Sequence, residues 1–251
     1  MNEKSLPIDR EKHRIYSDPA RRAVRRMLMH YDPKAQVGAL WNRVQKRFCE
    51  LLRDAPPFGQ IPHSGQFYDA VLFFAYFDTT EDLPPREVIQ QEVYSSFMAS
   101  FDTIGKAVNA NRVQHNLLIA GIFKLSVASK RKQFEQNSEW FEPTECTYDA
   151  GRGIVRYSFL RCPIADFARK HGFLAYLPYM CNCDHMGLQK IHAGLVRTST
   201  CGVGDVCNYA IAGDRSSFYS EYVTVKDENG LLLSVRREDA DDIPKRYGSL
   251  L

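Results

Sequence analysis

Three consecutive stretches lie near the middle of the chain: Trp140-Phe-Glu-Pro-Thr-Glu-Cys-Thr-Tyr148, Asp149-Ala-Gly-Arg-Gly153 and Ile154-Val-Arg-Tyr-Ser-Phe-Leu160. The outer two are rich in aromatic and β-branched residues, which suit a pleated, half-buried surface. The short glycine-containing stretch between them suits a reversal, so the segment predicts an antiparallel hairpin. The residues before it have helical periodicity and those after it return repeatedly to strand patterns, so this hairpin marks the change from helices to sheet.

Working back towards the N-terminus, apolar residues recur every three or four positions. Val37, Leu40, Trp41, Val44, Phe48 and Leu51 make one stripe, closed by Pro56-Pro57-Phe58-Gly59. Ser17-Asp18-Pro19 predicts a capped helix start ahead of it. Ser64 is placed to cap a helix carrying Phe67, Val71, Phe74 and Ala75. Pro85 suits the start of a long helix holding Val88, Val93, Phe97, Phe101 and Ile104, and another periodic segment runs from Val113 to Val127.

Towards the C-terminus, Pro163 to Lys170 reads as a helix with Gly172 as its C-terminal cap, and Tyr179 to Ile191 as a second short helix. Leu195 to Thr200 and Val206 to Ile211 predict a hairpin around Gly202-Val-Gly204-Asp205. Ser220 to Lys226 and Leu231 to Val235 predict another around Asp227-Glu-Asn-Gly230. The expected fold class is α+β: a single domain over residues 17–251, helical over 17–137 and sheet with inserted short helices over 138–251, after a flexible N-terminal segment, residues 1–16.

Composition narrows the function. A chain of 251 residues with 44% hydrophobic and 25% charged residues can bury a full core. The longest apolar run, Ala70 to Phe77, is far too short to cross a bilayer, and the first residues lack the apolar stretch of a secretory signal, so a cytoplasmic location with no membrane partner is expected. Arg21, Arg22, Arg25 and Arg26 form a basic run without the aromatic platforms of a nucleic-acid surface, and they read as a solvated helix face. Homo-oligomers are compatible with all of this.

The seven cysteines are an odd number in a chain too large to need disulfide staples, so reduced thiols are expected. Five of them fall within residues 162–207. Arg161-Cys162-Pro163 stands where a strand hands over to a helix, whose N-terminal dipole favours a thiolate. Cys181-Asn-Cys183-Asp184-His185 packs two thiols, a carboxylate and an imidazole into five positions. Arg197-Thr-Ser-Thr-Cys201 and Gly204-Asp-Val-Cys207 flank a glycine turn. Cys49 and Cys146 read as structural.

The ordered set Cys162-Pro163, Cys181 with Asp184, Arg197-Thr198, and Gly204-Asp205-Val206-Cys207 resembles the L-2-amino-thiazoline-4-carboxylic acid hydrolase family, most clearly over residues 140–212. The glycine-turn-cysteine ending is also similar to vinyl-reductase-type ligand-binding domains. The resemblance implies hydrolytic opening of a small cyclic amidine-like carboxylate to a carbamoyl cysteine. In that chemistry a thiolate, Cys162 or Cys181, attacks the ring carbon, with Cys207 beside it and Asp184 as acid and base. Arg161, Arg197 and His185 are the expected substrate-binding residues, an arginine gripping the carboxylate. The sequence departs from the family pattern at Cys183 and Cys201, and in the forty or so residues after Cys207.

Two alternatives accompany this reading. No cofactor is expected, but Cys162, Cys181, Cys183, Asp184, His185 and Cys207 hold enough ligands for zinc, although no Cys-x-x-Cys pair is present and Cys181 and Cys183 on one helix would face apart. A non-enzymatic small-ligand-binding module is the other.

Overall fold

A computed structural model of the chain describes residues 15–30, 34–58, 65–242 and 249–250. Helix α1, Asp18–Leu28, begins as its sequence requires, with Ser17 Oγ accepting the Ala20 N–H at 3.2 Å. Helix α2, Lys34–Leu52, turns Val37, Val44, Phe48 and Leu51 inward, and Tyr16 closes against it with its ring 5.2 Å from that of Phe48. Of the segment expected to be flexible, only Ile15 and Tyr16 are described and both are packed; the remainder, like the Ser64 cap, lies outside the described residues. Helix α3, Gly65–Thr79, is buried all round from Phe67 to Phe77, as a helix without a polar face must be.

One buried charge in this layer has a measurable consequence. Asp69 accepts the Ser17 N–H at 2.6 Å and the Ser17 hydroxyl at 2.8 Å, yet burial pushes its carboxyl up to about 6. Because the folded value exceeds the unfolded one, the group's stabilising contribution is complete below about pH 4 and is lost as pH rises through about 6. The melting temperature of the natural chain, taken relative to Asp69→Asn, is therefore expected to fall between pH 4 and pH 7 by the equivalent of about 3 kcal/mol. A difference that stays constant with pH would refute this.

The long helix expected after Pro85 is divided. Met98 leaves helical geometry at φ −133° and ψ 7°, separating α4, Arg86–Phe97, from α5, Ser100–Ile104. Helix α6, Val113–Gln136, ends the helical half. The next elements are β1, Glu142–Pro143, β2, Thr147–Asp149, and β3, Ile154–Arg161; both short strands pair with β3, so the predicted hairpin exists with its first arm broken. Helix α7, Pro163–His171, is capped by Gly172 in left-handed geometry at φ 78°. The single helix expected over 179–191 is two, α8, Leu177–Cys181, and α9, Cys183–Lys190, joined at Asn182.

Strands β4, Ala193–Val196, and β5, Cys207–Gly213, complete an antiparallel sheet of order β1-β3-β5-β4, with β2 alongside β3. Helix α10, Ser217–Ser220, leads to a second sheet of β6, Tyr222–Lys226, β7, Leu232–Arg236, and β8, Ser249–Leu250. The architecture is α+β, as the hairpin predicted. In the first sheet Tyr157 pairs with Tyr209 and Phe159 with Cys207, and these four side chains are among the apolar groups packed between sheet and helices. Among the described residues no helix is long and apolar enough to cross a membrane.

Candidate active site

Between the inner face of the first sheet and helices α4 to α9 lies a cavity of about 290 Å³. Cys162 caps the N-terminus of α7, Cys181 ends α8, Asp184 lies in the first turn of α9 and Cys207 opens β5; all four line this one cavity. Aromatic side chains, among them Phe123, Phe141, Phe159 and Tyr157, and aliphatic ones such as Val127, Ile164 and Leu188 make most of the remaining wall. A larger groove of about 440 Å³ runs over Arg156, Ser158 and Asn208 of the sheet and contains none of the four.

Asp184 is held from behind. Its Oδ2 accepts from Arg197 Nη1 at 3.1 Å and from the Tyr209 hydroxyl at 3.0 Å, while Arg197 Nη2 donates to the Cys181 carbonyl at 3.0 Å. Tyr209 in turn stacks on Tyr157, ring centroids 4.7 Å apart. Of the Asp184 side chain 34% remains accessible, against 1% for Arg197, so the cavity presents the carboxylate and hides the guanidinium. Oδ1 takes no hydrogen bond among the described residues and is available to a ligand. Burial raises the carboxyl above its usual range despite Arg197, Tyr209 and Lys130, which act to lower it.

The thiols correct the expectation of a resting thiolate. Burial pushes Cys162 well up, with the neighbouring Cys207 and Cys181 adding to it, and the α7 amides of Ala165 and Ile164 recover only part of the shift. Burial takes Cys181 to about 12, Arg197 being the main opposing charge. Cys207 is raised by its contact with the Cys201 thiol and then by burial, while its sulfur accepts the Cys201 N–H at 3.0 Å. A low-dielectric wall outweighs a helix N-terminus here. Iodoacetamide at pH 7 is accordingly expected to label these three cysteines at least about a hundredfold more slowly in the folded chain than in urea. Peptide mapping that finds them labelled at unfolded rates would contradict this.

The expected substrate-binding groups are placed elsewhere. Arg161 is exposed at the end of β3, Arg197 stands behind Asp184, and His185 is buried against the Leu232 backbone with its imidazole lowered to about 3 by burial and by Arg197; none of the three lines the cavity. Among the described residues the cation that lines the cavity is Lys130 of α6, whose ammonium lies 4.8 Å from the Phe141 ring centre. Burial lowers its pKa, against the attraction of Cys162 and Asp184. The sequence hid Lys130 inside the polar run that ends α6, where only the packing of that helix on β1 and β3 singles it out. Among the described residues no three His, Cys, Asp or Glu side chains are grouped to hold a metal ion: Cys183 donates to the Tyr179 carbonyl at 3.1 Å and His185 points to β7.

The family model described as L-2-amino-thiazoline-4-carboxylic acid hydrolase matches residues 66–211, more than half of the chain. The chain belongs to that family. Every cavity-lining residue, from Gln66 to Tyr209, falls within the match, which reaches much further into the helical half than the motifs over 140–212 implied. No curated protein and no solved structure matches the chain.

Within this hydrolase family the residues beyond 211 have a visible task here. Asn182, between α8 and α9, donates to the Gly230 carbonyl and accepts the Leu232 N–H, each at 2.9 Å. Ser234 N–H donates to the Arg197 carbonyl at 2.7 Å and its hydroxyl accepts the Arg197 N–H at 3.1 Å. The β6–β7 hairpin thus clamps the two segments that carry Cys181, Asp184 and Arg197.

Proposed function

We propose that this chain is a hydrolase that opens a small cyclic amidine carrying a carboxylate, such as 2-amino-thiazoline-4-carboxylate, inside this cavity. The observation that carries the reading is the pairing of an open carboxylate, Asp184, with a lining ammonium, Lys130, in an otherwise mainly apolar chamber. Such a ligand is a zwitterion: its amidinium complements Asp184 Oδ1, opposite the Arg197 bond to Oδ2, and its carboxylate complements Lys130. Family membership supports the same substrate class.

In the proposed reaction Cys181 is the nucleophile. The bound amidinium brings positive charge beside its thiol and favours ionisation, with Asp184 accepting the proton. Sulfur adds to the ring carbon between nitrogen and sulfur, and one ring bond breaks as Asp184 returns the proton to the departing atom. Water, activated by Asp184, then replaces Cys181 on that carbon and regenerates the thiol. These steps need no metal.

The test is incubation with thiazoline and sulfur-free cyclic amidine carboxylates, with and without chelator, following ring opening by mass spectrometry and released small-molecule thiol. Ring opening insensitive to chelator is expected. Chelator-dependent loss would favour the zinc reading, and tight binding without turnover would favour a ligand-binding module. Lys130→Gln is expected to raise KM about ten- to a hundredfold with little change in kcat, since it removes one charge-assisted contact made equally in ground and transition states. An unchanged KM would show that another group holds the carboxylate.

A further inference from the structure

Tyr157 and Tyr209 stand opposite each other on β3 and β5, and their rings stack at 4.7 Å with planes 7° apart. Both line the cavity, but their hydroxyls are used differently. Tyr209 donates its hydroxyl to Asp184 Oδ2. Tyr157 is 8% exposed, and its hydroxyl makes no hydrogen bond among the described residues. A buried hydroxyl without a partner is costly, and one on a cavity wall is met by whatever fills the cavity. Three rings fix the one that carries it: Tyr209, Phe123 stacked at 5.7 Å, and Phe159 edge-on at 5.5 Å. Burial, and after it the Asp184 carboxylate, holds the phenol well above its ordinary range, so at neutral pH it is an O–H donor.

From this unpaired donor we infer that Tyr157 is a further catalytic residue, whose hydroxyl donates a hydrogen bond to the tetrahedral adduct formed when Cys181 adds to the ring carbon. The role rests on the ring-opening reaction proposed above and adds a group to it. A bound amidinium spreads its nitrogen lone pairs over the C–N bonds, so its nitrogens donate hydrogen bonds but accept them poorly. When sulfur adds to the carbon, the C–N π pair withdraws onto one nitrogen, which then becomes an acceptor. An O–H already held in place stabilises that adduct without stabilising the bound ligand, and a contact of this kind lowers the barrier. Tyr157 gives up no proton: Asp184 still takes the proton that Cys181 loses and returns it to the departing atom.

Tyr157→Phe tests this, because it keeps the stacked ring and removes only the hydroxyl. With 2-amino-thiazoline-4-carboxylate, kcat is expected to fall about ten- to a hundredfold while KM stays within about threefold, since the contact is made to the adduct alone. The melting temperature is expected not to fall, because the fold loses no hydrogen bond. Tyr209→Phe, measured beside it, is expected instead to move the midpoint of the rising pH limb upwards, since the Tyr209 hydroxyl acts to lower Asp184. An unchanged kcat in Tyr157→Phe would overturn the role, and so would a raised KM with kcat unchanged, which would put the hydroxyl on the bound ligand. A Tyr157→Phe chain that only shifts the midpoint, or that loses kcat together with melting temperature, would make Tyr157 a support for Asp184 or for the fold and overturn it too. A natural chain that opens no cyclic amidine would sink the proposed function and this role together, whereas an active natural chain matched by Tyr157→Phe would sink the role alone.

Discussion

An Asp184→Asn chain is expected to turn over its cyclic amidine at least about a hundredfold more slowly than the natural chain, the lower range for a positioned acid–base group. The amide oxygen can still accept from Arg197 and Tyr209, as Oδ2 does now at 3.1 and 3.0 Å. The change leaves the buried Arg197 guanidinium without its counter-ion, so some loss of stability is expected beside the loss of turnover and is read separately from the melting temperature. What disappears is the titratable oxygen facing the cavity. In the natural chain the rate should climb with pH as Asp184 ionises, with the midpoint above the ordinary carboxylate range because burial raises it. In the variant that limb should vanish. A folded Asp184→Asn protein with near-normal turnover would reduce Asp184 to an anchor for Arg197, and a chain that unfolds would point to the same structural role.

Cys181→Ala is expected to lose at least about a thousandfold in turnover, as removal of a covalent nucleophile does, while Cys162→Ala stays within about tenfold. The two thiols line the same cavity and differ in their neighbours. Arg197, bonded to the Cys181 carbonyl, is the principal charge acting to lower Cys181, whereas Cys162 sees chiefly burial and other thiols. Cys207 spends its sulfur on the Cys201 amide. Mass spectrometry of the natural chain under turnover should find the covalent adduct on the peptide containing Cys181. If Cys162→Ala is the dead variant, the nucleophile is Cys162. If both alanine variants turn over normally, water attacks the ring carbon directly under Asp184 and no thiol takes part.

Local pattern determined much of this protein. The aromatic and β-branched run around Asp149–Gly153 placed the change from helix to strand, Ser17 and Gly172 marked helix ends, and the order of Cys162, Cys181, Asp184 and Cys207 carried the family. These are legible because caps, turns and periodicity depend on neighbours a few positions apart. The breaks at Met98 and Asn182 were not legible, since apolar spacing continues across both while the packing of separate helices decides them. Nor was the placement of Arg197 and Lys130. Which of the two cations lines the cavity depends on which side of the Asp184 carboxylate each approaches: Arg197 follows β4 behind Asp184, while Lys130 comes from helix α6 across the cavity. The protonation of the thiols belongs to the tertiary structure as well: a helix N-terminus is visible in sequence and argues for a thiolate, but the desolvation that overrides it exists only once sheet and helices close around the sulfur.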